Sequence, residues 1–321
     1  MDIKSNAKTQ KKPNKGMMTS NTAKSIDNNV LFSVIIPTYK RNSDLMECLG
    51  CLQSYFTDSS DDEMRNNMEV IVSDDAGDIE LRRLIEQRYP WCRYEIGPAR
   101  GPAANRNHGA SRAMGEWIVF TDDDCLPQPG WLNAYAELES QYDVMEGRTT
   151  AEGIRRRIDE ECPTNETGGY LWSCNFAIRR NAFNDLRGFN EGFPAAAMED
   201  VELRKRIDKS QYRVVYVPRA IVHHPWRTRK GISFLKAKAK SIAICVNLHP
   251  EMENDFSLQK VFKKTLITLK TSLVYCIRNK TISGISRQLY LDIYLSASTW
   301  REVRKMKSSQ VSQGDLLGLR D

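Results

Sequence analysis

Residues 115–127, GEWIVFTDDDCLP, decide the fold. The apolar run Trp117-Ile118-Val119-Phe120 has the length and β-branched content of a buried strand. Three adjacent carboxylates, Asp122, Asp123 and Asp124, follow at once. Such neighbours repel, and burying them is costly unless something positive neutralises them. In open α/β sheets the carboxyl end of a strand is where ligands sit. Oxygen ligands suit a hard divalent cation, which takes one or two protein carboxylates and completes its shell with phosphate oxygens. The turn therefore reads as a holder for a metal–diphosphate, with a solvated acidic turn as the plainer alternative.

Outward from this strand, strands alternate with helices. The pattern predicts strands at 31–36, ended by Pro37, at 69–73, ended by Asp74-Asp75, and at 91–96. Between them lie a helix with Leu45, Leu49, Leu52 and Phe56 on one face, a polar loop over 57–67, and a helix capped by Asp78. A helix over 103–114 leads into the acidic strand. Beyond it come a helix at 129–140, a strand at 142–148, and a long charged loop at 149–169 able to cover a site. A strand at 171–178, a helix at 198–208 and strands at 213–217 and 220–224 complete this part. The alternation argues an α/β fold, Rossmann-like, with a mostly parallel central sheet flanked by helices. After residue 228 the pattern holds only basic amphipathic helices, at 232–248, 258–277 and 285–306. Three regions result: a disordered tail over 1–30, an α/β domain over 31–227 and a helical region over 228–321.

The 321 residues carry a formal charge of +6, unevenly placed. Residues 1–30 hold +4 and 226–321 hold +11, which leaves −9 for 31–225. An acidic centre suits a cation-dependent site and not a nucleic-acid groove, so no nucleic-acid partner is expected. The basic C-terminal helices suit peripheral contact with an anionic membrane. Eight scattered cysteines do not form a disulfide framework, and Cys48 and Cys51 share a helix as packing residues. The polar, Lys-rich N-terminus has no signal-peptide core, and no apolar run approaches the ~20 residues of a membrane span. The expected location is cytoplasmic, with contact at the inner face of the membrane.

Four clusters fall at strand ends or helix starts: Pro37-Thr38-Tyr39 with Arg41, Asp74-Asp75, Asp122-Asp123-Asp124, and Glu199-Asp200. In a parallel sheet such ends share one edge. There Tyr39 could stack on a base, and Asp74 or Asp75 could accept hydrogen bonds from a base or ribose. Arg106 could pair with a diphosphate oxygen, and Asp200 could take a proton from an attacking hydroxyl. Trp172 and Glu199 are candidates on the acceptor side. These parts describe group transfer from a nucleotide-activated donor.

The runs Ser33-Val34-Ile35-Ile36-Pro37-Thr38-Tyr39, Glu69-Val70-Ile71-Val72-Ser73-Asp74-Asp75, Ala104-Asn105-Arg106-Asn107-His108-Gly109 and Phe120-Thr121-Asp122-Asp123-Asp124 resemble family 2 glycosyltransferases. So does Asn190-Glu191-Gly192-Phe193 leading to Glu199-Asp200-Val201-Glu202-Leu203. The resemblance covers 31–225. It implies a GT-A fold, a nucleoside-diphosphate sugar donor, most commonly UDP-linked, and transfer with inversion. It also implies Mn2+ or Mg2+ as cofactor. Pro37, Thr38, Tyr39, Arg41, Asp74, Asp75, Arg106, Asp122 and Asp123 would then serve the donor. Asp122 and Asp124, with His223 or His224, would hold the metal, and Asp200 would be the base. The acceptor would be a saccharide or lipid-linked saccharide, as in cell-surface glycan assembly. Two departures stand out. Ala76-Gly77 replaces the usual Gly-Ser after the second-strand aspartates, and the Gln-x-x-Arg-Trp of processive synthases is missing, which implies one sugar per encounter. The competing readings are a nucleotidyltransferase, which would want a glycine-rich loop after the first strand, and a non-catalytic scaffold, against which Asp200 argues.

Overall fold

The computed structural model describes residues 30–57 and 62–316. Its strands are β1 (Phe32–Thr38), β2 (Met68–Asp74), β3 (Cys92–Ile96), β4 (Trp117–Phe120), β5 (Leu126–Pro127), β6 (Val144–Glu152), β7 (Glu160–Glu161), β8 (Phe176–Arg179), β9 (Val214–Pro225) and β10 (Arg227–Thr228). Eight of them form one sheet in the order β3-β2-β1-β4-β8-β6-β9-β5, and β7 pairs with β10. The first four run parallel, as the alternation predicted. β8 then runs antiparallel to both β4 and β6, so the sheet is mixed.

Side-chain alternation divides the core into two layers. Val34, Ile36, Val70, Val72 and Val119 face the Asn42–Leu52 helix, which buries Leu45, Leu49 and Leu52 against them. Ile35, Ile71, Ile118 and Phe120 face the other layer. There Phe120 meets the rings of Phe176, Phe183 and Phe189 at centroid distances of 5.0, 5.3 and 5.2 Å.

Several predicted boundaries shift for identifiable reasons. Pro37 lies inside β1, not beyond it. Its nitrogen points toward β4, which stops pairing at Ile35, so no ladder hydrogen bond is lost. The strand expected at 171–178 starts only at Phe176, because 171–175 turn to place Asn175 at a junction. Asn175 Oδ1 accepts from Trp131 Nε1 and Tyr135 Oη, both at 2.8 Å, and its amide donates to the carbonyls of Arg148 and Ala220. The two strands expected over 213–224 are one, with 218–220 looped out where Val217 pairs with Gly147 and Ile221 with Arg148. The helix expected at 129–140 is only Trp131–Ala136, and β5 before it has too few residues to show a pattern.

The expected long loop is folded back. β6 extends to Glu152, β7 pairs with β10, and Thr149 and Asn165 exchange backbone hydrogen bonds. Part of the polar loop forms a helix at Asp62–Asn66. The tail expected over 1–30 lies outside the described residues, Val30 excepted. Helices at Ile232–Leu248, Leu258–Asn279 and Ile285–Leu316 close the chain, none long and apolar enough to cross a membrane. The first of them packs Ile242, Cys245 and Val246 against Phe193, Met198 and Val201. The C-terminal helices thereby support the loop that leads to Asp200.

Candidate active site

Strand β4 ends at Phe120, and the acidic turn that follows borders a cavity of about 1010 Å³. Its carboxylates are clamped by cations. Asp123 accepts from Thr38 Oγ1 at 2.8 Å and from Arg41 Nη1 at 2.6 Å. Asp124 pairs with the same Arg41 nitrogen at 3.1 Å and with Arg227, whose guanidinium also reaches Asp44 at 3.2 Å. Asp122 takes a 2.6 Å bond from Arg106. Burial pushes Asp123 up to about 7, although Arg41 opposes it. At Asp122 burial also disfavours the charge, but the Arg106 guanidinium prevails and holds the carboxyl below its usual range. The adjacent carboxylates are therefore tolerable because each has its own cationic partner.

Across the cavity stands the start of the Glu199–Asp208 helix. Met198 precedes it with φ of 80°, a left-handed conformation costly for a side chain with a Cβ. Glu199 and Asp200, which follow it, line the cavity. Arg106, 5% exposed, joins the two walls: Nη2 bonds Asp122 and Nη1 bonds Glu199 at 3.2 Å. It is a strut between carboxylates that also lines the cavity. Burial and the charge of Asp200 push Glu199 up to about 7. Burial also raises Asp200, despite the amide of Val201 at 2.8 Å and the backbone of Ser173.

The two second-strand aspartates separate. Asp74 is fully buried and does not line the cavity. It accepts from the amides of Ala76 and Asp78 and from Tyr94 Oη, all at 2.8 Å, and so builds the turn. Asp75 does line the cavity, where it accepts at 3.0 Å from the amides of Ala99 and Gly101. Pro37, Thr38, Tyr39 and Arg41 share that wall, and Tyr39 is 57% exposed. Gly97 packs closely behind Asp75: a Cβ there would stand 2.5 Å from both Asn105 Oδ1 and Asp75 Oδ1. Gly97→Ala is expected to displace Asp75 and raise the Kd of a bound nucleotide about tenfold with a smaller loss of thermal stability. Calorimetric titration with UDP and GDP checks this, and an unchanged Kd for both would detach Asp75 from nucleotide binding.

The histidine doublet is divided by strand alternation. His224 lines the cavity with Nε2 3.6 Å from Asp124, whereas His223 is not among the lining residues. Among the described residues, one group could gather round a cation: Asp124, Cys125 and His224. Carboxylate oxygens and an imidazole suit Mn2+ or Mg2+ better than a thiol does. Burial holds the Cys125 thiol well above its usual range, and sulfur is the softest donor of the three. The fit is thus through Asp124 and His224, with Asp122 beside them. Trp172 lines the cavity and stacks on Tyr170, with centroids 5.4 Å apart.

Several cavity residues escaped the sequence reading. Asn105 ties β1 to β2 by donating to the carbonyls of Thr38 and Ser73. Arg227, Phe234 and Lys238 come from beyond the sheet. Arg227 alone left a signal, as a cation three residues after the histidine.

Residues 33–145 match the family model described as Glycosyl transferase family 2. The Pre-mycofactocin glycosyltransferase of Mycobacterium tuberculosis is 28% identical over 149 residues, 41% of this chain and 31% of the relative. The chain thus spans about a third of that relative's length. Among solved structures, the mannosyltransferase PcManGT from Pyrobaculum calidifontis, in complex with GDP-Man and Mn2+, superposes with a TM-score of 0.55 at 17% identity, over 86% of this chain and 87% of that one. GalNAc-T7 with UDP, GalNAc and Mn2+ gives 0.54 at 15% identity, over 72% and 50%. At these identities the superpositions speak for the fold alone. Together with the mixed sheet and the strand-end acidic turn, they show that this chain has the GT-A fold, and residues 33–145 within it are similar to glycosyl transferase family 2.

Proposed function

We propose that this protein moves one sugar from a nucleoside-diphosphate donor to an acceptor hydroxyl, with inversion at the anomeric carbon. One observation carries the reading: Asp200 and the Asp122–Asp124 turn border one cavity and are joined through Arg106 and Glu199. Tyr39 and Asp75 would receive the nucleoside, and UDP is the first donor to try. Asp122, Asp124 and His224 would hold Mn2+ or Mg2+, which when bound offsets the charge of the departing diphosphate. Asp200 takes the acceptor proton as the acceptor oxygen bonds to the anomeric carbon and the bond from that carbon to the diphosphate breaks. A single displacement with one base and no enzyme nucleophile inverts the centre. The acceptor is a saccharide, free or lipid-linked, entering past Trp172.

Incubation with nucleotide sugars and Mn2+ tests this directly. Release of nucleoside diphosphate dependent on an acceptor supports transfer, whereas donor binding with no release in any acceptor background leaves a binding scaffold. Asp124→Ala should remove the metal-dependent part of donor binding. In thermal-shift titrations the wild type should gain melting temperature from donor plus Mn2+, and the variant should respond to donor equally with and without the metal. A variant that keeps the metal-dependent increment would take Asp124 out of the ligand set.

A further inference from the structure

The Leu258–Asn279 helix is turned inside out. Among its described side chains, those turned toward the protein are mainly polar: Thr265 and Thr268 line a pocket of about 370 Å³, Ser272 is buried, and Tyr275 donates to the carbonyl of Arg155 at 2.7 Å. Its described outward side chains include six large apolar ones, Leu266, Ile267, Leu269, Leu273, Val274 and Ile277, with Leu273 59% and Ile277 72% exposed, set among Lys263, Lys270, Thr271 and Arg278. Leu266, Leu273 and Ile277 follow at helical steps along one stripe, with Lys270 among them. An ordinary surface helix hides its apolar stripe and wets its polar one. A contiguous apolar face left in water calls for a cover.

The charge of the helix identifies that cover. Its 22 residues include Lys260, Lys263, Lys264, Lys270 and Arg278, and no Asp or Glu. A second copy of the same helix would bring like charges together. A bilayer with anionic headgroups accepts both halves of the pattern, acyl chains for the leucines and isoleucines and phosphates for the lysines. The helix does not qualify as a membrane span. We propose that the outer face of the Leu258–Asn279 helix is a membrane-docking surface that lies in the plane of an anionic lipid leaflet. Ile282, 78% exposed just past the helix end, extends the apolar strip. The inference needs no enzymatic activity, so it stands or falls apart from the proposed glycosyl transfer.

The test is flotation of the full chain with vesicles of pure phosphatidylcholine or of equal parts phosphatidylcholine and phosphatidylglycerol. The protein should float with the anionic vesicles, less so in high salt, and stay behind with the neutral ones. The double variant Leu273→Glu/Ile277→Glu changes exposed side chains only and should fold with an unchanged circular dichroism spectrum. It should lose at least about tenfold in partitioning. Lys263→Glu/Lys270→Glu should lose binding to anionic vesicles to a similar extent. Absence of flotation would overturn the proposal, as would a double variant that floats like the wild type. A vesicle-free dimer, seen by light scattering and broken by Leu273→Glu/Ile277→Glu, would assign the face to a second copy instead.

Discussion

Asp200→Asn should bind donor nearly as well as the wild type and turn it over about 10²–10⁴ times more slowly, the usual contribution of a positioned base. The substitution keeps size and hydrogen-bonding shape, so the amide of Val201 still finds an oxygen to bond. What disappears is the ability to accept a proton. Burial raises the Asp200 carboxyl, which has two consequences. A more basic carboxylate takes a hydroxyl proton more readily, but it must be ionised to do so. The acid limb of the wild-type rate profile should therefore lie above the usual aspartate range, and activity should fall as pH drops through it. In Asp200→Asn the residual rate should lack that limb. Equal turnover in the two proteins, measured as nucleoside diphosphate released, would remove Asp200 from the reaction.

The second large effect is on stability. Removing the cation of a buried ion pair leaves uncompensated charge and typically costs about 3–5 kcal/mol. Arg106→Ala should do this to two walls at once, because the guanidinium holds Asp122 on one side and Glu199 on the other. It also removes a cation from over the Phe189 ring, 5.7 Å from its centroid. A loss of that size corresponds to a melting temperature roughly 6–20 °C lower for a domain of about 200 residues. Adding Glu199→Gln should recover part of it, since a neutral amide needs no counter-charge. Denaturant melts of the single and double variants check both statements. A cost below about 1 kcal/mol for Arg106→Ala would mean that the carboxylates find water or another cation.

The first half of the fold was legible because it is local. Buried parallel strands write themselves as short apolar runs, and the aspartates that end β2 and β4 are visible as breaks in those runs. Parity was not legible. Asp74 and Asp75 are adjacent, as are His223 and His224, and strand registers decide which of each pair meets the cavity. Arg227 was missed for a different reason: its partners Asp44 and Asp124 lie far away in sequence. The helix starting at Ile232 was placed correctly, since amphipathic spacing sets where a helix lies. For Leu258–Asn279 the same spacing could not say which face turns inward, because tertiary packing there overrides the usual preference.

The reversal at β8 has a consequence for which substitutions reach which wall of the cavity. Up to β6 the chain builds the wall with Tyr39, Asp75 and the acidic turn, and the family match ends there, at residue 145. Trp172, Asp200, His224, Phe234 and Lys238 all come afterwards. The later segment is pinned to the acidic turn at several points: Arg106 joins Asp122 to Glu199, and Asp124 pairs with His224 and Arg227. On the proposed reading, a substitution confined to Trp172, Phe234 or Lys238 would alter the acceptor side alone, whereas one at His224 would also disturb Asp124.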